Sequence, residues 1–158
     1  LGTKARCTRP TLRRAARART ARRLAATWSR PAGVVGGTNA GWSSPKLASQ
    51  LERARALGFG AFRVTNLFAF RATDPRDLKR ALDPVGPDND AILERSADWA
   101  DTVLCGWGLH GAHLGRGPAV EARLRQRARD LCHLGLTGTG APRHPLYVAY
   151  RVMPVPWR

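Results

Sequence analysis

Three stretches carry residues whose types and spacing invite chemistry. The first runs from Gly58 to Arg76, with Asn66 inside a short apolar run of Phe62, Val64, Leu67 and Phe68. An amide buried there without partners costs on the order of 1–3 kcal/mol, so either the protein or a ligand must supply them. The second is Arg143-His144-Pro145, where an imidazole either donates to charge developing on a ligand or bonds a backbone carbonyl. The third is the glycine-rich turn after Val34-Val35, which carries Asn39, Ser43 and Ser44. A strand, a glycine turn and a helix in that order aim backbone N–H groups at an anion, while the plainer reading is a surface loop. Asn39 accepts no proton, so it can position a water but cannot serve as a general base. Equally, it suits a turn that needs positive φ. Asp74, in Asp74-Pro75, is a substitute base or a helix cap.

Metal chemistry finds little support. His110 and His113 lack a neighbouring cysteine or carboxylate, and Cys7, Cys105 and Cys132 have no ligand spacing. No metal and no cofactor are expected. Cys105 and Cys132 lie in apolar runs and read as small core residues, and His133 reads as a satisfied core histidine. An odd number of widely spaced cysteines fits free thiols in a reducing, cytoplasmic setting.

Charge points to the partner. The chain of 158 residues has a net charge of +16, an excess that suggests polyanions, nucleic acid first. Residues 1–51 hold 11 Lys and Arg and no carboxylate, whereas residues 52–158 hold 16 basic and 11 acidic groups, a net of +5. The Arg/Ala-rich residues 1–30 read as a basic, disordered arm, with a loose likeness to a transit peptide. The chain opens on Leu1, which fits a truncated start. No run approaches the roughly 20 apolar residues of a membrane span, so a soluble protein is expected.

The elements that must position these residues follow in order. Residues 31–158 are expected to form a single α/β domain. Val34-Val35 reads as the end of a first strand. Leu47, Leu51, Ala54 and Leu57 share one face of a helix over 46–57, which Gly58 stops. Strands follow at 60–68, 102–108 and 131–136, separated by a short helical turn from 76, a helix from Asn89 that Asp88 or Asn89 can cap, and a strongly basic helix over 118–130. The tail V-M-P-V-P-W-R reads as a Pro-rich strap on the body. This alternation predicts three layers around a short, mainly parallel sheet of about four strands. Ligands of such sheets sit beyond the C-terminal strand ends. The Asn39 turn, the Asn66–Thr73 segment, Trp107-Gly108 and the Thr137–Tyr147 loop should gather there.

From about Leu51 to Trp157 the chain resembles a bacterial family, the domain of unknown function 1643 family. The likeness rests on N-L-F-A-F-R-A-T-D-P (66–75), D-P-V-G-P-D-N-D (83–90), W-G (107–108) and G-A-P-R-H-P-L-Y-V (140–148). More distantly it is similar to the uracil-DNA glycosylase superfamily. G-T-N-A-G (37–41), V-T-N (64–66), W-G (107–108) and His144-Pro145 match that superfamily's motifs in order. This resemblance implies a uracil-DNA-glycosylase-like fold, with Asn66 reading a base edge, His144 stabilising the departing base and Asn39 placing the water. Trp107 would line the pocket, with Ser43 in the first loop, and Arg71, Arg143 and Arg151 would meet phosphates or simply be solvated. The first loop departs from the pattern, because G-T-N-A-G-W-S-S has no carboxylate.

Two functions are therefore expected. One is a nucleobase-recognising protein that hydrolyses an N-glycosidic bond. The other is a non-catalytic module binding nucleic acid or a nucleotide on the same fold.

Overall fold

The computed structural model describes residues 22–28, 45–70, 75–128 and 130–158. Strand β1 (Arg23–Trp28) leads to helix α1 (Pro45–Ala56) and strand β2 (Ala61–Asn66). Helices α2 (Pro75–Arg80) and α3 (Asn89–Trp99) precede strand β3 (Thr102–Gly106). A 3₁₀ segment over Gly108–Gly115 joins helix α4 (Arg116–Arg127), strand β4 (Leu131–His133), a 3₁₀ turn over Pro145–Tyr147 and strand β5 (Val155–Pro156).

The sheet order is β2-β1-β3-β4-β5. Strand β1 pairs in parallel with β2 and β3, and β3 with β4, whereas β5 runs antiparallel to β4. The sheet is therefore mixed and five-stranded, not one of about four strands as periodicity suggests. The extra strand comes from the Pro-rich tail. Trp157 N–H donates to Leu131 O at 2.7 Å just beyond it.

Strand β1 corrects the sequence reading. Val34-Val35, expected as the first strand, lies outside the described residues, and so do residues 1–21. The strand observed, R-L-A-A-T-W, comes from within the stretch that reads as an arm. Alanine favours helices in isolation, so local propensity gives no hint of a strand. Tertiary pairing overrides it, because β1 lies between β2 and β3 and is buried on both faces.

Period-2 alternation divides the core. Leu24, Ala26, Leu104 and Cys132 face Ala54, with Phe59 and Phe62 packed beside them. Ala25, Val103 and Cys105 face Leu93, Ala97, Val120 and Leu124. Helix α1 thus covers one face, while α3 and α4 cover the other. Boundaries shift from the sequence reading where backbone geometry intervenes. Strand β4 stops early because Gly135 turns to φ +121. Helix α4 starts at Arg116, which puts Pro118 in the first turn, where its missing N–H costs nothing. No helix among the described residues is long and apolar enough to cross a membrane.

Candidate functional site

Strand order locates the site. From β1 the chain goes to β2 on one side, then returns to β3 and β4 on the other. The C-terminal ends of β1 and β3 thus form the switch point where doubly wound sheets place ligands. Register aligns this rim, with Trp28 opposite both Asn66 and Gly106. Asn66 and Gly106 are two strand spacings apart, roughly 10 Å.

At the β2 end, the backbone of Asn66 is fixed by a residue that the sequence reads as a cap. Asn89 is 5% exposed and its Nδ2 donates to Asn66 O at 3.2 Å and Leu67 O at 2.8 Å. Asp88, at the cap position of α3, makes no side-chain cap bond. Arg116, also buried, donates from Nε to Leu67 O at 2.8 Å and pairs with Asp90. The loop before α3 folds back as well. Ala69 and Phe70 N–H donate to Val85 O and Pro84 O, and Asp83 accepts from Gly86 N–H at 2.9 Å. Segments 66–70 and 83–90 are therefore one packed unit. The Asn66 side chain is partly buried, and its amide bonds no described residue.

At the β3 end, W-G and H-P meet. Gly108 N–H donates to Pro142 O at 2.7 Å. A Cβ on Gly106 would stand 2.6 Å from Pro145 Cδ, so only glycine lets the two segments close. His144 is 7% exposed, and its Nδ1 accepts from Leu146 N–H at 3.2 Å. That bond needs the Nδ1 lone pair, so a neutral ring carries its proton on Nε2. Arg143 is exposed and held by its own loop, with Nε donating to Leu136 O at 3.0 Å.

Trp107 is a core residue, not an open pocket wall. It is 2% exposed and packs on Trp157 at 5.6 Å between ring centroids. A Cβ on Gly111 would fall 2.2 Å from its Cδ1. Two glycines beyond the strand, Gly111 and Gly117, make room for its indole, and only the tertiary structure reveals this. His113 packs on Phe68 at 5.5 Å. No metal-binding cluster of His, Cys, Asp or Glu occurs among the described residues. Asn39, Ser43, Arg71 and Asp74 lie outside those residues. Among the expected site residues, Asn66 and His144 come to one rim, Arg143 joins them through His144, and Trp107 stands behind.

Much of the basic charge is spent internally. Asp90, Glu94 and Asp98 on α3 face Arg116, Arg123 and Arg127 on α4, with Arg123 at 3.0 Å from Asp90 and 2.8 Å from Glu94, and Arg127 at 3.1 Å from Glu94 and 3.3 Å from Asp98. The strongly basic helix is therefore neutralised by its neighbour.

No curated protein and no solved structure matches the chain. The family model described as a protein of unknown function (DUF1643) spans residues 38–146. All four sequence blocks fall almost wholly within that span, and their described residues contribute to the two packed units at the rim. The chain belongs to the DUF1643 family.

Proposed function

We propose that the rim at the β1/β3 switch recognises a nucleobase. One observation carries this reading: His144 is seated against the end of β3 with Nδ1 engaged, which fixes the proton of the neutral ring on Nε2. Asn66 offers one acceptor and two donors from the neighbouring rim position, a set that suits a base edge. The ordered likeness to glycosylase motifs supports the same ligand. In the enzymatic form, water adds to the anomeric carbon, the C–N bond breaks, and the base leaves with the electron pair. Asn39 positions that water. The Nε2–H of His144 stabilises the departing charge, and the water's proton ends on the base.

A second reading, the non-catalytic module, has its own support. The described segments leaving the strands at this rim, 67–70, 107–115 and 134–147, contain no Asp or Glu, and in the packed 83–90 loop Asp83 is held by Gly86 N–H and Asp90 by Arg116 and Arg123. A base for the water would have to come from elsewhere. Release of free base from damaged-base oligonucleotides separates the two. The enzyme loses roughly 100- to 1,000-fold in rate in His144→Ala. Binding without release on every substrate assigns the module. Neither binding nor release by wild type ends both.

A further inference from the structure

The turn from Arg143 to Arg151, R-H-P-L-Y-V-A-Y-R, is the most exposed aromatic stretch among the described residues. Tyr147 is 78% exposed and Tyr150 is 52% exposed. The segment is held at several points. Tyr147 N–H donates to His144 O at 3.0 Å within the 3₁₀ turn, and its ring tilts against His144 at 5.9 Å. Arg53, 4% exposed on α1, donates to the carbonyls of Val148 at 2.9 Å, Ala149 at 3.4 Å and Val152 at 3.2 Å. Its guanidinium also lies over Tyr150 at 4.8 Å. A buried cation thus pins a turn whose outer surface presents rings to water. Two exposed arginines, Arg143 and Arg151, end it, and residues 131–158 contain no Asp or Glu at all. Rigid exposed aromatics flanked by unopposed positive charge match the requirements of a single-stranded nucleic acid, whose bases stack and whose phosphates need cations.

We propose that this turn is a stacking surface for single-stranded nucleic acid, with Tyr147 as the ring that takes a base beside His144. The choice of ligand class rests on the reading given under Proposed function; the residue and the surface do not. Pre-setting the turn lowers the ordering cost of binding. Stacking on Tyr147 would hold a neighbouring base while the rim engages its target.

The test is fluorescence anisotropy of the full chain with a labelled mixed-sequence single-stranded oligonucleotide, with duplex as comparison. Tyr147→Ala should weaken single-strand binding by about 5- to 150-fold, and Tyr147→Phe should restore it. Tyr147→Trp should bind and have its added emission quenched by the oligonucleotide. Circular dichroism melting checks that each variant folds. Wild-type affinity in Tyr147→Ala, or added emission that the oligonucleotide leaves unquenched in Tyr147→Trp, overturns the stacking surface. If His144→Ala still loses binding in that case, nucleobase recognition at the rim survives without it. Absence of single-strand binding by wild type overturns both.

Discussion

His133 ends β4 with its Nδ1 accepting from Gly135 N–H at 2.9 Å and its ring edge-on to Trp157 at 6.0 Å. Burial pulls its pKa below the ordinary imidazole value. The folded state therefore keeps the ring neutral at pH values where the unfolded chain takes a proton. Stability is full above the unfolded imidazole pKa, about 6.5, and is lost as pH falls below it toward the folded value. Thermal melting from pH ~7.5 to ~5 should show a steeper loss in wild type than in His133→Gln, and equal slopes would refute the assignment. The sequence alone suggests a satisfied core histidine here, and the bond to Gly135 bears that out. Asn66 shows the opposite case. Its place on a strand is legible, but its neighbour Asn89 looks like a cap from D-N-D alone. Only long-range packing shows that Asn89 satisfies the carbonyls of Asn66 and Leu67.

At the scale of elements, the end of β3 and the H-P segment act as one piece. Gly106→Ala would set a methyl 2.6 Å from Pro145 Cδ and 3.3 Å from Arg143 O, and neither a ring nor a backbone atom yields cheaply. The variant should lose about 1–3 kcal/mol in urea unfolding, as overpacked sites do, and bind oligonucleotides more weakly because His144 is displaced. Gly138→Ala, with nothing within 4 Å of the new methyl, is the matched control and should behave as wild type. Unchanged binding in Gly106→Ala would separate the β3 end from the site. Helix and strand periodicity locates α1, α3, α4, β2, β3 and β4 to within a few residues. It misses β1, because Ala25 and Ala26 are small residues buried on opposite faces and no apolar alternation marks them.

Across the whole molecule, charge is distributed in a way the total hides. The α3–α4 ion pairs remove Arg116, Arg123 and Arg127 from the field available to a polyanion, whereas residues 1–21 hold seven Lys and Arg and no acid. Deleting residues 1–21 leaves β1 intact. It should flatten the slope of log affinity against log salt for single-stranded oligonucleotides, by up to about 5 if every cation meets a phosphate. Arg123→Gln should leave that slope unchanged. A slope insensitive to the deletion would assign the affinity to residues 22–158.

By itself the sequence determined the alternation of helices and strands, the large excess of basic charge and the motifs bound for the C-terminal rim. These are properties of local spacing and composition, which neighbouring residues encode. The tertiary structure alone decided which strand is central, where the sheet reverses, and that Trp107 and His144 are both buried, with the His144 segment packed on the end of β3. It also decided that a basic helix is neutralised by an acidic one. Each of these depends on contacts between residues tens of positions apart, and no local pattern carries that information.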